Sequence, residues 1–232
     1  MPYWDSSLEV GNSTKLQCVA HLWLHFKSEL PDPRESIFFS SLFVGASNSS
    51  GQIVDGPFAS WKTMEGTREL VRFVPDMKNG EVLNNARIDI VLEQKRIEQV
   101  LAASLPLETC KIIINDDRLL SYSHDYVHYF INGDMKETYS STSEPIFFYH
   151  HPMVDHIWEM WRQLHQTREQ RETDYPPPLD DCYPKNHFAN ASLKELEPFT
   201  NRAALSNNYT DNMYEYEPRP TCSSMKPDCG SK

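Results

Sequence analysis

The stretch Glu144-Pro-Ile-Phe-Phe-Tyr-His-His-Pro-Met-Val-Asp155-His-Ile-Trp-Glu-Met-Trp161 carries the most structural information in this chain. From Val154 its apolar residues continue at Ile157, Trp158, Trp161 and Leu164, steps of three and four that place one apolar stripe along a helix. Pro152 is expected in the first turn, where a missing N–H is harmless, so a helix is predicted from about Pro152 to Gln166. Upstream, Leu119 to Ile131 holds neither Pro nor Gly, and Asn132-Gly133 closes that segment in the manner of a helix C-cap.

Residues 84–103 also carry apolar positions at roughly helical spacing, Ile88, Val91, Leu92, Ile97, Val100 and Leu101, stopped by Pro106. Between residues 31 and 80, Pro and Gly recur every few positions around short apolar runs such as Leu70-Val71-Arg72-Phe73-Val74. That pattern predicts irregular, loop-rich structure with a strand or two. Eight of the sixteen prolines fall in residues 171–232, including Pro176-Pro177-Pro178, so this part reads as an extended tail over the core or a linker. The fold class expected is mainly α.

With 232 residues the chain has the size of one large domain. Apolar residues make up 39%, with five Trp, eleven Tyr and eleven Phe, which is enough to build a core and argues against wholesale disorder. Lys and Arg total 22 against 33 Asp and Glu, a net charge of −11, so a nucleic-acid partner is not expected. No window approaches the roughly 18 apolar residues of a membrane span, and Met1-Pro2-Tyr3-Trp4-Asp5 does not read as a signal peptide. Four sequons, at Asn12, Asn48, Asn190 and Asn208, and five cysteines (Cys18, Cys110, Cys182, Cys222, Cys229) point to a secreted, disulfide-bearing chain. Asn48, Asn190 and Asn208 are the glycosylation candidates.

Nine histidines are unevenly placed. His124 and His128 stand at i and i+4, which stacks two imidazoles on one helix face, as a helix offers two ligands to one metal. His151 and Asp155 repeat the spacing, so a carboxylate can reach and orient a ring nitrogen. The same spacing at His21 and His25 reads as packing, as do His150, His156, His165 and His187, in the core or at the surface. Imidazole-only coordination suits copper, zinc or iron, and spacing does not choose among them.

The quoted stretch resembles the second copper-binding signature of the tyrosinase family, Asp-Pro-x-Phe, an apolar residue, two residues, His, three residues, Asp. Every fixed position matches except the first, where Glu144 stands for Asp. His124-Asp-Tyr-Val-His128-Tyr-Phe-Ile-Asn-Gly133 is similar to the family's paired-histidine helix. Pro2-Tyr3-Trp4-Asp5 looks like the segment after its first copper site, and Tyr214-Glu-Tyr216 like its closing tyrosine pair. The resemblance implies that His124, His128 and His151 are the three ligands of the second copper. It also implies that Asp155 steers a ligand ring or caps backbone, and that Phe147 packs beneath the site. Asp125 falls where many members have Asn beside the first ligand; Asp116 or Asp117 are open candidates for a base. In the family a pair of coppers binds dioxygen and oxidises a phenol or catechol to an o-quinone; the haemocyanin-type oxygen carrier is the alternative.

The first copper site of the family precedes the Pro-Tyr-Trp-Asp motif with which this chain begins. Residues 1–216 are therefore expected to form a partial copper-binding domain, a partial helical bundle with a loop-rich periphery. It would hold at most one copper where a complete domain holds two, and by itself be inactive. Residues 217–232 are expected to be a tail cut after Cys229. Residues 10–29 are expected to be an insertion of non-family origin, because they separate Pro-Tyr-Trp-Asp from Leu30-Pro31-Asp32-Pro33.

Overall fold

The computed structural model describes residues 1–6, 34, 36–76, 78–101, 109–110 and 118–219. The proposed insertion at 10–29, with His21, His25, Cys18 and the Asn12 sequon, lies outside the described residues, as do Asp116, Asp117, Cys222 and Cys229. The described residues are helical wherever they are regular. Among the described residues there are four α-helices: α1 (Asn85–Leu92), α2 (Leu120–Ile131), α3 (Phe147–His165) and α4 (Arg168–Thr173). The strand or two expected within residues 31–80 is reduced to isolated antiparallel bridges, Ser47 with Ile53, Gln52 with Val71 and Lys62 with Glu69. Among the described residues, no helix is long and apolar enough to cross a membrane.

The chain divides into two compact units. The first gathers Met1, Ala86–His124 and Val154–Tyr216; the second gathers Pro2–Asn85, Asp125–Met153 and Glu217–Lys232.

In the first unit, Ile157 and Trp161 of the predicted α3 stripe are buried, as are Ile88 and Val91 of α1, whereas Leu164, expected on the same stripe, is exposed. The helix expected through residue 103 ends at Leu92, followed by a 3₁₀ turn at Ile97–Gln99. The reason is tertiary. The Trp161 indole donates to the Gln94 carbonyl at 2.8 Å, and a ring nitrogen of His165 lies 2.6 Å from the Leu92 carbonyl. Both carbonyls thereby find partners outside a continuing helix. The Gln99 side chain then accepts from the Arg96 N–H at 3.1 Å and starts the new turn. Helix α4 opens on a reciprocal cap: Thr167 Oγ1 accepts from Gln170 N–H, and Gln170 Oε1 from Thr167 N–H.

The proline-rich region, as far as it is described, is no linker. Cys182 is bonded to Cys110, Arg162 of α3 donates to the Leu205 carbonyl at 2.8 Å, and short turns at Lys185–His187, Ala203–Leu205 and Tyr209–Met213 fold it compactly.

In the second unit, backbone bonds tie the loops of residues 36–83 to α2: the N–H groups of Phe73, Asp76 and Glu81 donate to the carbonyls of Ile131, Phe130 and Tyr126 at 3.2, 2.8 and 3.2 Å. Trp4 stacks on Phe38 at 4.4 Å between centroids, and Phe38 meets Tyr149 edge-on at 5.7 Å. Arg72 and Glu144, both wholly buried, form a two-pronged ion pair with contacts of 2.6 and 3.2 Å. The Arg72 guanidinium also donates to the carbonyls of Val44 and Gly45, and Glu144 Oε1 accepts the Ile146 N–H at 3.2 Å. Helix α2 ends as predicted, at Ile131. Asn132 takes φ +56° and Gly133 φ +57°, and a Cβ on Gly133 would lie 2.1 Å from the Val71 carbonyl oxygen. Only glycine allows that approach of two backbones.

Helix α3 begins at Phe147 rather than at Pro152. The preceding turn of Glu144-Pro145-Ile146 supplies the first carbonyls, with the Phe147 N–H on Glu144 O at 3.0 Å and the His150 N–H on Ile146 O at 2.9 Å. Pro152 then forgoes only the bond to the carbonyl of Phe148, an exposed residue.

Candidate metal centre

Helix α2 presents His124 and His128 one turn apart, and the first turns of α3 present His150 and His151. Ligand atoms of His124, His128 and His150 all lie within 4.8 Å of one another. His151 belongs to the same neighbourhood: its Nε2 lies 3.2 Å from Nε2 of His128. The ring centroids of His128, His150 and His151 are mutually 5.3 to 5.5 Å apart. Of the three residues matched to ligands in the sequence, His128 and His151 are thus brought together, with His124 on the same helix face as His128. His150, read from sequence as packing, is buried and joins them. Its signal was its place beside His151 on a helix that starts five residues earlier than the stripe indicates.

The chemistry of His128 is determined by a neighbour outside the helix. Its Nδ1 lies 2.6 Å from the Met135 carbonyl, supplied by the 3₁₀ turn Gly133–Met135. A carbonyl can only accept, so Nδ1 carries the proton and the neutral ring offers its lone pair at Nε2. A metal bound by imidazoles at about 2.0–2.1 Å brings its ligand nitrogens to a separation of roughly 3.3 Å in a tetrahedral array. The 3.2 Å between His128 and His151 fits one shared ion. These residues can hold a metal of the copper, zinc or iron class.

Phe147 lies against His151, centroids 3.8 Å apart and ring planes 26° apart, which restricts the rotation of that imidazole. Asp155 Oδ2 accepts from both Tyr214 and Tyr216 hydroxyls, at 2.7 and 2.6 Å. Burial first, and then the bond to the Asp155 carboxylate, push both phenols well above the ordinary tyrosine range, so both hydroxyls remain donors. Tyr216 also stacks on His156 at 4.8 Å. Asp125 follows His124 on α2 and is half-buried; Asn48, Asn190 and Asn208 are exposed. Sequence reading missed the Met135 carbonyl and the Arg72 partner of Glu144. An acidic residue at position 144 was visible as a motif position, but nothing nearby named the arginine 72 residues upstream.

The family model for the common central domain of tyrosinase matches residues 1–164. A tyrosinase-like protein of Caenorhabditis elegans is 39% identical over 231 residues, which is 100% of this chain and 30% of that protein. A tyrosinase-like protein of Pinctada maxima is 25% identical over 228 residues, 95% of this chain and 49% of its own length. Tyrosinase-like protein 1 of Margaritifera margaritifera is 26% identical over 242 residues, covering 98% of this chain and 44% of that protein. The chain thus spans between 30% and 49% of the length of these relatives.

Proposed function

Because this chain belongs to the tyrosinase family, we propose that it carries one copper-binding half of a copper oxidoreductase that converts phenols or catechols to o-quinones. His124, His128 and His151 are the proposed ligands, with His150 adjoining them. Members of the family are oxidoreductases that use copper and dioxygen on phenolic substrates, and paired copper supplies the oxygen-binding and electron-accepting chemistry when bound. This chain's residues supply the setting. The Met135 carbonyl holds the proton of His128 at Nδ1, Phe147 orients the His151 ring, and Asp155 gathers the two tyrosines. Within the proposal this chain takes at most one copper, the activity belongs to a protein with a second copper site, and the protein works in an extracellular or secretory-pathway lumen.

The observation that carries the reading is the 3.2 Å approach of two ring nitrogens, one of them held in the metal-binding tautomer by a carbonyl. Copper(II) titration followed by electron paramagnetic resonance and elemental analysis tests it. One copper per chain with imidazole-nitrogen coupling is expected, together with its loss in His128→Ala and His151→Ala. Uptake unchanged in both variants would overturn the ligand assignment.

A further inference from the structure

We propose that, among the sequons within the described residues, Asn48 is the preferred N-glycosylation site, accepting an oligosaccharide from a glycosyl-diphospholipid donor. The proposal rests on the reading that the protein passes through the secretory lumen.

The three sequons are alike in pattern but not in geometry. Asn48, Ser49 and Ser50 are all exposed. The Asn48 carboxamide oxygen accepts three hydrogen bonds, from the Ser50 N–H at 3.0 Å, the Ser50 hydroxyl at 2.7 Å and the Gln52 N–H at 3.0 Å. Its Nδ2 makes one long contact, 3.5 Å to Gln52 Oε1. The backbone closes around the same residues, with the Gly51 N–H on Asn48 O and the Asn48 N–H on Gln52 O, both 2.9 Å. Gly51 takes φ +81°, which glycine adopts without strain. All these bonds lie within five residues, so the turn can form in a short length of chain before distant contacts exist.

Donors on the carboxamide oxygen draw electron density from the nitrogen and ease loss of its proton. In the transfer, Nδ2 of Asn48 forms a bond to the anomeric carbon of the donor sugar. The anomeric C–O bond breaks, the lipid diphosphate leaves with the electron pair, and one amide proton passes to base.

At Asn208 the arrangement differs. Its Oδ1 accepts from the Asn212 side chain at 2.8 Å, its backbone is helical at φ −58°, and the Thr210 hydroxyl is turned to the Asn207 carbonyl at 3.4 Å. At the third sequon Ser192 is engaged in a backbone bridge with Thr200.

The test imposes lumenal entry by placing a heterologous signal peptide before Met1, with expression in insect cells. Glycopeptides from secreted and cell-retained protein are mapped after enzymatic deglycosylation in heavy-oxygen water. Because the sugar is added before export, retained protein reports as well as secreted protein does. Label at Asn48 in most copies, exceeding that at Asn190 and Asn208, is expected, with loss of one glycan step on a gel in Asn48→Gln. Asn48 unlabelled, or labelled less than either other sequon, overturns the proposal. The natural protein, isolated from its own cells, separates the two readings: if it carries no sugar while the forced-entry chain is modified, the secretory reading fails and the acceptor geometry stands.

Discussion

Phe147 and Glu144 stand three residues apart in one motif and do different physical work. The Phe147 ring covers the face of His151, and aromatic contacts of this kind contribute about 0.5–1.5 kcal/mol. Phe147→Ala should therefore weaken copper binding by up to roughly tenfold without changing the copper-to-protein ratio, measured by competition with a chelator of known affinity. Glu144 contributes nothing to the ligand set directly; it neutralises Arg72 where neither side chain meets water. Glu144→Gln keeps the shape and removes the charge, leaving a buried guanidinium uncompensated, a loss of about 3–5 kcal/mol in such pairs. Urea unfolding should show that loss as a lower midpoint. Replacing both partners by apolar residues should cost less than Glu144→Gln alone, because no buried charge then remains.

At the scale of elements, the end of α2 and the 3₁₀ turn after it act together. Gly133 starts the turn that delivers the Met135 carbonyl to His128, while the Asp134 carboxylate accepts from the Val71 N–H at 2.8 Å and pairs with Arg68. Gly133→Ala meets the left-handed penalty of about 1–2 kcal/mol and, in addition, a Cβ driven into the Val71 carbonyl. The expected outcome is lower thermal stability together with weaker copper binding, since the turn that orients His128 must shift. Asn132→Asp, one residue earlier and able to keep the cap geometry, should preserve more of both.

Across the whole molecule, the tyrosine pair predicts a response to alkali. Tyr214 and Tyr216 have folded-state pKa values raised above the unfolded value of about 10. Their contribution is fully present below pH ~10 and is lost as pH rises through the folded values, because the unfolded chain releases those protons first. Unfolding followed by circular dichroism should begin above about pH 10, and Tyr214→Phe with Tyr216→Phe should flatten that limb while lowering stability at neutral pH.

The outline of α2 and the apolar stripe of α3 were legible in the sequence, as was the i, i+4 histidine pair, because helical periodicity and the Asn-Gly stop act over four residues or fewer. The early end of α1 and the early start of α3 were not. Trp161 reaches Gln94 across 67 positions, and the turn before Pro152 is held by Arg72 through Glu144, 72 positions away. The same distinction governs the site. Sequence alone determined which helix offers paired imidazoles, where it stops and which family the motif resembles. Tertiary structure decided that His150 joins the cluster, which nitrogen of His128 is protonated, and that Asp155 receives two tyrosines 59 and 61 residues downstream. Backbone geometry repeats along any stretch of chain and can be read there. A desolvated polar group takes its partner from wherever the fold supplies one.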